Sequence, residues 1–147
     1  MNQINQQGKQ GDSAGYNPAG EPLARVRKGQ ARTAVELNLL GQGRDLLLLV
    51  TGGQAHTGAV AVARPDTGNE PDTRFDKLIT VPGHKEGPLA EHCARQLAQA
   101  SGKVCVAVVG IHQDQATRQE IEDIVVHVKD GLQLLVHGID TGEFADD

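Results

Sequence analysis

Between a strand-like run and a helix-like one, Val81-Pro82-Gly83-His84-Lys85-Glu86-Gly87 gathers residues able to hold an anion. Glycine lets the backbone approach a ligand closely, and the first N–H groups of a helix have no partner within it. With the positive end of the helix dipole and the Lys85 ammonium beside them, such N–H groups suit a phosphate or carboxylate. The same residues equally suit an ordinary strand-to-helix turn with His84, Lys85 and Glu86 merely solvated, and spacing leaves both readings open. The second candidate is Gly52-Gly53-Gln54-Ala55-His56-Thr57-Gly58, where two glycines permit positive φ and His56 and Thr57 offer hydrogen bonds. A hairpin turn that needs glycine explains it as well. The third, Gly110-Ile111-His112-Gln113-Asp114, is a strand exit whose Asp114, with Thr117, can simply start a helix. All three are glycine-bearing strand ends with a histidine, and together they say more than each singly.

His56, His84 and His112 are separated by 28 residues each time. That spacing excludes a local metal motif of the HExxH or CxxC kind. No carboxylate or cysteine joins them in a recognisable pattern, so no metal is expected and scattered surface histidines are the default. Nucleophilic catalysis has less support: there is no GxSxG elbow, and Cys93 has the spacing of a core helix position. His92 and His127 read as solvated or edge-of-core residues, and His137 suits the C-terminal end of a helix dipole.

The elements that must position these loops follow from periodicity. Val35, Leu37 and Leu39 alternate with Ala34, Glu36 and Asn38, a half-buried strand. After a Gly41-Gln42-Gly43 turn, Asp45 to Thr51 is a continuous apolar run, and Thr57 to Ala63 alternates again. Joined by short turns, these three strands predict an antiparallel meander. Residues 65–74 form a polar loop, and Phe75 to Val81 returns as a fourth strand. Leu89, Cys93, Leu97 and Ala100 then recur at helical spacing, closed by Ser101-Gly102, with Gly102 suited to the left-handed position after a helix. Val104 to Ile111 is the most apolar strand. Thr117-Arg118-Gln119-Glu120 is a capping box that starts a second helix, with Ile121, Ile124, Val125, Val128, Leu132, Leu135 and Val136 on its core face. Gly131 marks a kink or an end.

The expected architecture is therefore α+β: a mostly antiparallel sheet with both helices on one face. The other face, with Val, Leu and Ala pointing outward, needs cover, which points to a sheet-mediated homodimer. Residues 1–22 are a Gln-, Asn-, Gly- and Pro-rich tail with little to bury, 23–139 one domain, and 140–147 an acidic tail.

Bulk properties narrow the function. At 147 residues the chain is one domain, and its net charge of −5 argues against nucleic acid and anionic membranes as partners. No apolar run approaches the ~20 residues that span a bilayer, and the N-terminus shows no secretory h-region. Two cysteines among apolar neighbours read as buried thiols in a reducing cytoplasm. With no Trp, one Tyr and two Phe, base stacking on aromatic platforms is ruled out as a design.

The segments TGGQAHTGAVAVA (Thr51 to Ala63), VPGHKEG (Val81 to Gly87) and GIHQDQATRQEIE (Gly110 to Glu122) resemble the small bacterial LpdD family. The resemblance covers roughly residues 30–138 with the motifs in the family's order. It implies an accessory protein of gallate-type decarboxylases, related in fold to eukaryotic proteasome-assembly chaperones and associating as a dimer. It also implies a non-catalytic role: binding reduced prenylated FMN and handing it to a UbiD-type decarboxylase. On the positions that match, cofactor contacts would come from Gly52, Gly53, His56, Thr57, Gly83, His84, Lys85, Glu86 and His112. Lys85 and the turn N–H groups would take the flavin phosphate. Two other readings stay open: an assembly subunit that binds only the decarboxylase protein, and an enzyme using the histidine loops.

Overall fold

The computed structural model describes residues 22–66 and 77–144. Residues 1–21 of the expected tail, most of the polar loop 65–74, residues 75–76 at the start of the expected fourth strand, and the last three residues lie outside that range. The elements are β1 (Pro22–Lys28), a 3-10 turn (Ala31–Thr33), β2 (Val35–Gln42), β3 (Asp45–Gly53), β4 (Ala59–Ala63), β5 (Lys77–Thr80), α1 (Gly87–Ser101), β6 (Cys105–His112) and α2 (Arg118–Thr141). They build one six-stranded sheet in the order β1-β2-β3-β6-β4-β5, antiparallel except where β3 pairs with β6.

Alternation sets the two faces. Leu37, Leu39, Leu46, Leu48, Val50, Ala59, Ala61, Ala63, Cys105, Ala107 and Val109 are buried. Register aligns them in rows across the sheet, such as Leu39 with Leu48, Leu48 with Ala107 and Ala107 with Ala61. Both helices cover that face: α1 packs on β4 and β6, α2 on β1 and β2. The α+β architecture expected from the sequence is thus present.

The meander is not. β3 and β4 are sequential but do not pair, because β6 lies between them, parallel to β3 and antiparallel to β4. Short connections favour neighbouring strands, but β6 is apolar on both faces and is stabilised most at the sheet centre, with a strand on each side. β1 was not expected as an element. It pairs with β2 as an edge strand, its outer face carrying Arg25 and Arg27 against Asn38 and Glu36 at 2.8 Å each. Hydrogen bonds from Asn38 and then Arg27 hold the Glu36 carboxyl below its usual range. A charged edge of this kind blunts strand addition.

Helix termini follow the local sequence. Thr117 Oγ1 accepts from Glu120 N–H and Glu120 Oε1 from Thr117 N–H, both at 3.0 Å, so the capping box is complete. Gly102 is left-handed at φ 68°, as its position after α1 requires. Gly131 does not end α2. A Cβ there would stand 2.8 Å from Leu37 Cδ1, so the missing side chain lets the helix approach β2. The helix runs on to Thr141, within the segment expected as a tail, and Phe144 packs against Gly138. Its buried side is Ile124, Val128, Leu132 and Leu135. Ile121 is 53% exposed, a departure from the expected core face that bears on the site.

Both cysteines are buried and unpaired, and burial pushes Cys93 up to about 12 and Cys105 to about 11. Thiolate is the reactive form. A thiol reagent at neutral pH is therefore expected to modify neither residue in the native protein and both after denaturation; fast native labelling would contradict this packing. Among the described residues no helix is long and apolar enough to cross a membrane.

Candidate functional site

The parallel pairing of β3 with β6 brings two strand exits side by side, Thr51 opposite Gly110 and Gly53 opposite His112. From β3 the chain crosses over the end of β6, held by Gln54 N–H to the His112 carbonyl at 2.9 Å and Gly58 N–H to the Val109 carbonyl at 3.0 Å. At the crossing the His56 carbonyl rests on Gly110 so closely that no Cβ could stand there. The Val81–Gly87 turn hangs from this loop: Val81 N–H donates to the Gly58 carbonyl at 2.8 Å, and His84 N–H closes the turn on the Val81 carbonyl at 3.1 Å. Glu86 is the N-cap residue of α1 but makes no side-chain cap, its carboxylate turning instead over Gly58.

These connections put His56, His84 and Glu86 together. His56 Nε2 is 3.1 Å from His84 Nδ1 and 3.1 Å from Glu86 Oε1, and His84 Nδ1 is 3.7 Å from Glu86 Oε2. The two rings lie 4.7 Å apart, centroid to centroid. His56 Nδ1 is 2.9 Å from the Gln54 carbonyl, which can only accept, so that nitrogen carries the proton and Nε2 presents a lone pair when the ring is neutral. The Glu86 side chain is 13% exposed, and its Oε2 is buried without a hydrogen bond. The His112 ring stands edge-on to His56 at 6.4 Å, its Nε2 2.9 Å from Asp114 Oδ1.

Beside this cluster opens a cleft of about 300 Å³ between α1, the end of β6 and the start of α2. Leu89, Ile111, Ile121, Ile124 and Val125 make its apolar walls, while Gly83, His84, Lys85, Glu86, His112 and Gln113 supply the polar end. Lys85 is exposed and makes no ion pair or hydrogen bond among the described residues. A smaller cavity of about 170 Å³, under β4 and β5 against α1, contains none of the residues singled out by sequence.

Of the expected contact residues, Gly83, His84, Lys85, Glu86 and His112 line the cleft, and His56 joins the cluster at its edge. Gly52, Gly53 and Thr57 do not line it. Gly52 and Gly53 are the last residues of β3 rather than a turn, Gly53 at φ 58° against the His112 carbonyl, and Thr57 is exposed. Sequence reasoning placed Gly58, Gly110 and Ile111 inside candidate loops but missed that Gly58 seats Glu86 and Gly110 seats His56, and it missed the apolar walls. A signal existed: the apolar stripe of α2 is broader than one packing contact needs, and the surplus, Ile121 and Val125, walls the cleft.

No curated protein matches the chain. Among solved structures, the "Crystal Structure of a Novel Chaperone Complex for Yeast 20S Proteasome Assembly" is similar, with a TM-score of 0.53 and 12% identity over 79% of this chain and 97% of that one. At that identity the likeness is one of fold. The family described as "Prenylated flavin chaperone LpdD-like domain" matches residues 29–140, which includes every loop of the site and all strands but β1. The chain belongs to the prenylated flavin chaperone LpdD-like family.

Proposed function

We propose that this protein is a non-catalytic cytoplasmic chaperone that binds reduced prenylated FMN in the cleft between α1, β6 and α2 and delivers it to a UbiD-type decarboxylase of gallate or hydroxybenzoate. The observation that carries the reading is an apolar cleft with an unpaired ammonium, Lys85, at its polar end. A flavin has the matching polarity, an apolar ring system joined to a phosphate. The fit is partial in extent: about 300 Å³ is at the small end of ligand sites, enough to grip part of the cofactor and leave the rest exposed. A carrier that must release its cargo has use for such a grip. On this reading Leu89, Ile111 and the α2 residues receive apolar surface, Lys85 takes the phosphate, and His84 and His112 flank it.

The functional unit is a homodimer formed through the sheet face that the helices leave bare. Register aligns Ile79, Val60, Val108 and Leu49 in one row on that face, and Val62, Val106, Leu47 and Leu40 in the next. Ile79 is 68% exposed. A sheet face turned to water is ordinarily polar, and these apolar rows, bordered by Lys77 at one edge and by Asn38 and Arg25 at the other, are uniform enough to pair with a second copy of themselves.

Anaerobic titration with reduced prenylated FMN, followed by flavin absorbance, tests the cleft. Lys85→Ala should weaken uptake about tenfold or more, because a charge-assisted phosphate contact contributes roughly 1.5–3 kcal/mol. Equal uptake by the wild type and a Lys85→Ala/His84→Ala double variant would remove the site. Co-purification with the decarboxylase, unaltered by flavin, would favour the protein-only alternative.

A further inference from the structure

We infer that His56, His84 and Glu86 form a binding site for a divalent first-row transition metal ion, independently of the flavin reading. The argument begins with protons. His56 gives its Nδ1 proton to the Gln54 carbonyl, so its neutral ring offers only a lone pair to His84 Nδ1 and Glu86 Oε1, each 3.1 Å away. The Glu86 oxygens are acceptors too, and Oε2 is buried without a hydrogen bond, His84 Nδ1 standing 3.7 Å away. A neutral His84 supplies at most one N–H to this set. A second proton on His56 would satisfy one acceptor and leave Oε2 unpaired, at the cost that any buried acceptor carries. One multivalent cation would serve all of them.

The donor atoms suit such an ion. All lie within 4.8 Å of one another; the two Nε2 contacts are 3.1 Å, and His84 Nδ1 is 3.7 Å from Glu86 Oε2, a gap that a small side-chain adjustment closes. Metal–ligand bonds of roughly 2.0–2.2 Å at 90–109° place neighbouring donors about 3.0–3.5 Å apart. Two imidazoles and one carboxylate select Zn²⁺, Fe²⁺, Co²⁺ or Ni²⁺ over Mg²⁺ and Ca²⁺, which prefer oxygen. The Gln54 carbonyl on the far nitrogen of His56 is the outer-shell partner that fixes a ligating tautomer. Three protein ligands leave coordination positions open, and His84 and Glu86 also line the cleft, so the ion would offer a Lewis acid to an anionic oxygen held there. Gly58 makes room for the carboxylate and Gly110 for the His56 loop, which gives both glycines a role in building the site.

The test uses full-length protein stripped with EDTA and titrated with Zn²⁺ and with Co²⁺, read by calorimetry and by Co²⁺ visible absorption. One ion per chain is expected, with a rise in melting temperature. His56→Ala and Glu86→Gln should each weaken binding about tenfold or more, the range seen even for outer-shell partners. His137→Ala, on the exposed end of α2, should leave it unchanged. Without metal, Glu86→Gln should melt no lower than wild type, because the amide supplies a missing N–H. Failure to bind one ion per chain, or equal affinity in wild type, His56→Ala and Glu86→Gln, would overturn the site. So would a lower melting temperature of metal-free Glu86→Gln, which would point to a proton holding the cluster. None of these readouts involves flavin, so the cleft reading stands or falls separately.

Discussion

Replacing Gly110 with alanine is expected to destabilise the protein by at least about 3 kcal/mol, the upper range for overpacking a close-packed site. The new methyl would overlap the His56 carbonyl and stand 3.1 Å from the Thr57 nitrogen. The loop cannot simply lift away, because hydrogen bonds of 2.9 and 3.0 Å to the His112 and Val109 carbonyls pin it on both sides of the crossing. Breaking either adds roughly 1 kcal/mol. At about 2–4 °C per kcal/mol for a chain near this size, the melting temperature should fall by about 10 °C. Gly83→Ala is the control: φ is 86° there but no atom lies within 4 Å of the added Cβ, so only local strain of about 1 kcal/mol applies. The comparison separates crowding from backbone conformation. If Gly110→Ala melts no lower than Gly83→Ala, the loop does not cross β6 as described.

Leu49→Asp is expected to convert the proposed dimer to a monomer. Leu49 lies on the bare sheet face, between Asn38 and Val108 in register, on a strand inside the sheet. Twofold pairing through that face would bury two introduced carboxylates among apolar side chains such as Val60, Val108 and Leu47. Together they should cost at least about 3 kcal/mol, which weakens association more than a hundredfold. The fold itself should persist, since Leu49 is only half-buried in a single chain. Light scattering should therefore report twice 15.6 kDa for the wild type and 15.6 kDa for the variant, with matching circular dichroism. A wild type that is monomeric at tens of micromolar, or a variant that stays dimeric, would show that another surface, or none, joins the copies.

Local features of the sequence carried through to the structure wherever a few neighbouring residues suffice. Thr117 and Glu120 cap α2 as their spacing requires, Gly102 closes α1, and the alternation of β2 separates buried Leu37 and Leu39 from outward Asn38 and Leu40. The loop motifs around His56, His84 and His112 lie together at one end of the sheet. What lay beyond reach was pairing across distance. Nothing within residues 104–111 says that the strand inserts between β3 and β4, since that placement is decided by how much apolar surface each arrangement buries. Gly131 shows the same limit: its neighbours suggest a break, and only contact with Leu37 explains an unbroken helix.

The sequence by itself determined the α+β class, the start of α2, the close of α1 and the family, because capping, periodicity and motif order are short-range properties. The tertiary structure decided that His56 and Glu86, 30 residues apart, share one cluster, and that Ile121 faces a cleft rather than the core. Both depend on the parallel docking of β3 on β6, a long-range choice set by burial that no local pattern encodes.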